Sequence, residues 1–214
     1  MKILAVSDQV LDNLYTTSVR DRFGDVGLII SCGDLPYDYL EFLITVLDRP
    51  LYYVHGNHDP AVYVTADGQR STVIAGGEPL GGRVLLAGGL ILAGLDGSIQ
   101  YNRDSPYQFT QRAMDWHARR LSLQLMLSRL RRGRWLDILV THSPPFGVGD
   151  GPDAAHVGFR AINTLIRRFR PRYLLHGHQH VYRGPKPGVR VGSTLVLNVF
   201  PYRALDVETG DGPQ

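Results

Sequence analysis

One cysteine, two lysines, three methionines and two tryptophans are all that this 214-residue chain carries of those residues. The single thiol, Cys32, excludes an internal disulfide, and its place inside an apolar run fits a reducing, cytoplasmic setting. Long hydrophobic runs are also missing: none reaches the roughly 18 residues a membrane-crossing helix needs, so no membrane partner is expected. Repeats, low-complexity tracts and linkers are absent, which favours one domain over residues 1–214. Met1-Lys2 leads directly into Ile3-Leu4-Ala5-Val6, too short for a secretion signal and better read as a first strand.

Lysine is so scarce that nearly all 23 basic residues are arginine, and the net charge is only +3. Seven of these arginines (Arg112, Arg119, Arg120, Arg129, Arg131, Arg132 and Arg134) cluster together. No aromatic ladder accompanies them, so they read as a solvated helix face, and nucleic acid is not an expected partner. With 43% hydrophobic and 20% charged residues the chain has the composition of an ordinary globule with a full core. Nothing in it specifies an oligomeric state.

Periodicity predicts strands at 2–7, Leu28–Cys32 and Leu51–Val54, with helices at about 12–22 and Tyr37–Leu47 between them. That alternation favours parallel strands joined by right-handed crossovers. Gly81–Leu95 reads as a hairpin turning at Gly88-Gly89, and Thr110–Leu130 as the longest helix, with Met114, Leu121, Leu125 and Leu127 among its apolar positions. A strand at Leu136–Val140, a Gly/Pro-rich loop over 142–157, a helix at Gly158–Phe169 and a strand at Tyr173–Leu175 follow. Thr194–Val199 and Ala204–Val207 read as a closing pair of strands. The first half is expected to be parallel and the later part mixed, in two facing sheets with helices outside.

Polar residues gather where these strands end. Gly33-Asp34, Val54-His55-Gly56-Asn57-His58-Asp59, Thr141-His142 and His176-Gly177-His178-Gln179-His180 each follow an apolar run, and Ser7-Asp8 closes the first strand. Strand ends converging on one rim would bring these groups into one polynuclear metal site. The Asp34 carboxylate can bridge two cations, Asn57 offers a neutral carbonyl oxygen, and His142, His178 and His180 supply imidazoles. Gln179 separates two rings that share a face on extended backbone. Asp8 completes a plausible ligand set. His58 stays free beside Asn57, placed to give a proton to an oxygen leaving phosphorus, with Asp38 or Asp59 available to orient it. A cation pair holding a hydroxide, together with such an acid, is the equipment for hydrolysing phosphate esters.

These residues resemble the calcineurin-like metallophosphoesterase superfamily, whose signature runs Asp-x-His, Gly-Asp, Gly-Asn-His-Asp/Glu, a lone His and Gly-His-x-His. The resemblance spans Asp8 to His180. It implies an α/β fold, a four-layer α/β/β/α sandwich of two mixed sheets. It also implies two divalent metal ions (Mn, Fe or Zn), with Asp34 bridging them, Asn57, His142 and His178 serving one, Asp8 and His180 the other, and His58 as general acid. The substrate class implied is a phosphate ester, with a mild preference for diesters because little chain is left to cap the cleft.

One position departs from the signature: Asp-x-His reads Asp8-Gln9-Val10, and valine cannot ligate. Either one site is weak, or another side chain replaces the ligand, or a single ion is held. His156, in the loop after His142, is the leading substitute ligand or phosphate contact, with Asp12 and Gln9 behind it. The loss also motivates an alternative function, a non-catalytic binding scaffold like the retromer subunit that shares this fold. His55 and His176 read as packing or supporting residues, His117 as a surface residue, and Gly76-Gly77 and Gly81-Gly82 as turns. Tyr101, Arg103 and Tyr107 occupy a polar loop with access to substrate.

Overall fold

Apolar side chains that alternate along the strands sort the chain into layers. The computed structural model describes residues 1–65, 68–102, 105–182 and 187–208; Arg103 lies outside them. The chain begins with β1 (Lys2–Val6), α1 (Val19–Phe23), β2 (Leu28–Ser31), α2 (Tyr37–Leu47) and β3 (Leu51–Tyr53), then short strands β4 (Tyr63–Val64), β5 (Arg70–Ser71) and β6 (Gly77–Pro79). Strands β7 (Val84–Ala87) and β8 (Leu90–Leu95) form the expected hairpin, followed by β9 (Ser98–Ile99) and β10 (Gln108–Phe109). The rest comprises α3 (Gln111–Arg132), β11 (Ile138–Thr141), α4 (Arg160–Phe169), β12 (Tyr173–His176), β13 (Val189–Val191), β14 (Thr194–Asn198) and β15 (Tyr202–Asp206).

Two large sheets result, one ordered β15-β1-β2-β3-β6 and the other β13-β14-β12-β11-β8-β7. Within the first, β1, β2, β3 and β6 are parallel and β15 runs antiparallel at the edge. Within the second, β14, β12, β11 and β8 are parallel, flanked by antiparallel β13 and β7. Both sheets are therefore mixed, as expected; the antiparallel strand of the first comes from the later part of the chain. The expected closing pair does not pair with itself. Strand β14 is buried beside β12, whereas the half-exposed β15 crosses to the edge of the first sheet at β1.

Ile3, Ala5, Leu28 and Ile30 point inward to meet Leu90, Leu92, Ile138, Val140, Leu175 and Leu197 of the opposite sheet. Their neighbours Leu4, Val6 and Ile29 point outward, under α1 and α2. On the far side Ile91, Ala93, Leu139, Leu174 and Val196 pack beneath α3 and α4. These three apolar seams bind four layers, helix–sheet–sheet–helix, as expected. Each fully buried Leu or Ile contributes about 1.5–3 kcal/mol, so burial of both sheet faces dominates the fold.

The helices differ from expectation in detail. Only Val19–Phe23 is helical in the first connection, with turns before it. Thr110 caps α3, its hydroxyl accepting from Ala113 N–H at 3.2 Å. Met114, Ala118, Leu121 and Leu125 make the buried stripe, whereas Leu127 is 51% exposed beside exposed Trp116, Leu123 and Leu130. His117 is half-buried against Phe109 rather than on the surface.

Candidate metal centre

The parallel strands of both sheets end at the same rim. Asp8 follows β1, Asp34 follows β2, Asn57 and His58 follow β3, His142 follows β11, and His178 and His180 follow β12. Asp8, Asp34 and His178 adopt left-handed backbone angles (φ 64, 57 and 65) just past their strands. Non-glycine residues held there mark a local conformation that surrounding structure must enforce. Two motif glycines make room: a Cβ on Gly56 would strike the Asp34 carboxylate, and one on Gly177 would strike Ser7 and Asp8.

His142 sits at the centre, fully buried. Its Nδ1 lies 2.8 Å from the Cys32 carbonyl, which only accepts, so Nδ1 carries a proton and Nε2 points into the site. That Nε2 lies 3.3 Å from Asp34 Oδ2 and 3.1 Å from Asn57 Oδ1. His178 is held in the same way: its Nε2 donates to the Ala155 carbonyl at 2.8 Å, leaving Nδ1 as the ring's acceptor. Carbonyl partners that choose the tautomer are the usual support of imidazoles that bind metal. Donor atoms of Asp34, His142 and His178 all lie within 4.8 Å of one another. Their oxygen and nitrogen chemistry suits a divalent cation.

Asp8 and His180 form a second, smaller group. His180 Nε2 lies 3.3 Å from Asp8 Oδ1, and both Asp8 oxygens accept the His178 backbone N–H, at 3.1 and 3.0 Å. Ser7 also hydrogen-bonds Asp8. The first strand end is thereby tied to the Gly-His-x-His turn across the two sheets.

Burial alone raises the Asp34 pKa, but the charge and hydrogen bond of His142 outweigh it and bring it to about 2. Burial alone lowers that of His142, and Asp34 overcomes this too, raising it to about 10. For Asp8, burial is outweighed by the His180 hydrogen bond and the His142 charge, and the pKa falls. His178 moves the other way, to about 4, because of burial and the nearby His142 charge. A neutral His178 is the form that can ligate.

His58 projects to solvent, its backbone N–H donating to Asp34 Oδ1 at 2.8 Å. Both acids named as candidates to orient it accept hydrogen bonds elsewhere through Oδ2. Asp59 accepts Gly56 N–H at 2.7 Å and Asp34 N–H at 3.1 Å, pinning the two motif loops together. Asp38 accepts the Tyr15 hydroxyl at 3.3 Å. Val10, at the departing position, is half-buried and packs with Leu11 on the apolar seam beneath α1 and α2. His156 stands next to His178, ring centroids 5.1 Å apart, with its Nδ1 2.8 Å from Asp153 Oδ1. His176 is buried against the Gly177 carbonyl, its pKa lowered to about 4 by burial, in line with a packing role.

Sequence reasoning passed over several supporting groups. The carbonyls of Cys32 and Ala155 carry no side-chain signal. Asp96, at the end of β8, accepts the His55 N–H at 2.7 Å, and its only sequence cue was a carboxylate closing an apolar run.

Residues 2–182 match the profile of the calcineurin-like phosphoesterases. Among curated proteins none matches the sequence. One crystal structure superposes with a TM-score of 0.65 at 16% identity, covering 96% of this chain and 94% of that one. The protein TT1561 of Thermus thermophilus superposes with a TM-score of 0.60 at 15% identity, over 92% of this chain and 88% of its own. At such identities the likeness is one of fold. With its sequence matched from the first strand through the last histidine motif, the chain belongs to the calcineurin-like phosphoesterase family.

Proposed function

We propose that this chain hydrolyses phosphate esters, phosphodiesters in preference, with Asp34, Asn57, His142 and His178 holding one divalent ion and Asp8 and His180, with Asp34 as bridge, a second and weaker one. The observation that carries this reading is the convergence of Asp34, Asn57 and the two tautomer-locked imidazoles on one point. Bound cations would supply charge neutralisation and an activated water. Mn, Fe and Zn all suit the donor set.

The chain's own residues supply the rest. His58 stands at the edge of a recess of about 350 Å³ that Asn57, Tyr101, Ser105 and Gln108 also line. A leaving group lodged there has the His58 ring within reach as proton donor. The recess is open, which favours a diester over an ester that needs a cap. In this reading His156, paired on Nδ1 with Asp153, is assigned to bound phosphate, because the ligand it stands beside, His178, serves the ion whose set is complete and not the one that lacks a ligand at Val10.

The test is hydrolysis of bis-p-nitrophenyl phosphate and p-nitrophenyl phosphate by purified protein with Mn²⁺, Fe²⁺, Co²⁺, Ni²⁺ or Zn²⁺. Turnover with at least one ion, lost in Asp34→Asn, is the expected result. Inactivity with every ion would overturn the reading.

A further inference from the structure

We infer that Asp96 is a positioning residue for the metal centre: with Tyr101 and Ser105 it clamps the loop His55-Gly56-Asn57 so that the Asn57 side-chain amide oxygen faces the ion. The inference rests on the reading of Asn57 as a ligand, and it concerns residues outside every motif of the family signature.

The clamp begins where β8 of the second sheet ends, opposite β3 of the first. Asp96 Oδ1 accepts the His55 main-chain N–H at 2.7 Å and lies 3.3 Å from its Nδ1. The next residue closes the pair, Gly97 N–H donating to the His55 carbonyl at 2.7 Å. Both main-chain groups of His55 are thus spent across the seam between sheets. Its ring is fixed as well, stacked on Tyr107 with centroids 4.3 Å apart and edge-on to Tyr53 at 5.2 Å.

Two residues further on, the same segment takes hold of Asn57. The Ser105 hydroxyl donates to the Asn57 main-chain carbonyl at 2.5 Å, and the Asn57 side-chain NH₂ donates to the Tyr101 hydroxyl at 3.1 Å. With its NH₂ taken by Tyr101, the amide has its oxygen left to face His142 Nε2 at 3.1 Å. An asparagine ligates through that oxygen, so the clamp selects the useful one of two amide orientations. Gly81 shows that the carboxylate's place is reserved: a Cβ there would overlap Asp96.

The test measures Mn²⁺ binding by calorimetry in wild type, Asp96→Ala, Asp96→Asn and Tyr101→Phe, beside thermal melts of each without metal. Asp96→Ala and Tyr101→Phe are expected to weaken Mn²⁺ binding about 10- to 100-fold, the usual effect of losing a ligand's support. Asp96→Asn, which keeps an oxygen for the His55 N–H, is expected to recover most of that affinity. A purely structural role would lower the melting temperature and leave the affinity of the folded protein alone. Tyr101 is 39% exposed, so its variant folds and decides the matter even if Asp96→Ala does not. Wild type that binds Mn²⁺ with Tyr101→Phe and any folded Asp96→Ala binding it equally overturns the clamp alone. Wild type that takes up no divalent ion overturns the metal reading and the clamp together.

Discussion

His142 and Asp34 reach each other from different sheets: Nε2 of one, past β11, lies 3.3 Å from Oδ2 of the other, past β2. The centre therefore exists only when the sheets are packed face to face, and its charge pattern has a consequence for metal uptake. The His142 pKa stands at about 10, above its ordinary 6.5, so without an ion a proton occupies the place proposed for a cation. The pair's contribution to stability is complete between pH 3.8 and 6.5, fades as the pH rises through about 10 with loss of the His142 proton, and fades as it falls through about 2 with protonation of Asp34. An ion entering the proposed site would displace that proton. Titration with Mn²⁺ near pH 7 in buffers of different ionisation enthalpy should show proton release, and affinity should rise with pH. Uptake without any proton release would contradict this.

Removing the His58 ring takes nothing from the proposed ligand set, because the hydrogen bond of His58 to Asp34 is made by its backbone N–H. His58→Ala should lower kcat by about 10²- to 10⁴-fold and leave Mn²⁺ affinity unchanged. The check is a kinetic series paired with metal analysis; a variant that loses its metal would assign His58 a different role.

Cys32 is fully buried, and burial, then the nearby Asp8 charge, pushes its thiol well above the ordinary value. Folded protein should give no reaction with a disulfide reagent such as Ellman's, and one thiol per chain after denaturation. Rapid labelling of native protein would mean that this rim opens readily.

Restoring the signature histidine should not restore a site. Val10 faces the seam beneath α1 and α2, so Val10→His should cost roughly 1 kcal/mol of apolar burial without adding bound metal. Denaturant titration and metal counting check both halves, and a rise in metal per chain would show that the loop can turn.

Leu92, wholly buried between the sheets, and Leu127, half-exposed on α3, separate the two faces of the fold. Leu92→Ala should cost about 2–5 kcal/mol. Leu127→Ala should stay within about 0.5 kcal/mol, as surface changes do. Equal losses would place Leu127 in a contact the isolated chain does not show.

Much of the centre was legible because its signals are local. A β-branched or leucine-rich run ending in Gly33-Asp34 or Gly177-His178 states both a strand and the group at its tip. Periodicity likewise announced α2, α3 and α4 to within a few residues. Leu127 misled because it lies near the buried stripe in sequence yet on the other side of the helix. Asp59, an open choice beside Asp38 for orienting His58, has its Oδ2 taken by Gly56 and Asp34 N–H, a pairing between separate loops that no local pattern announces.

Residue order alone decided which chemistry was available: carboxylates, an amide and imidazoles each placed one step past an apolar strand. Packing decided which of them meet. Where β14 and β15 go, which way Val10 turns and what holds Asn57 depend on contacts between residues far apart in the chain. Such contacts are chosen by the burial of whole sheet faces and by pairing every enclosed N–H and C=O, sums that no short stretch of sequence contains.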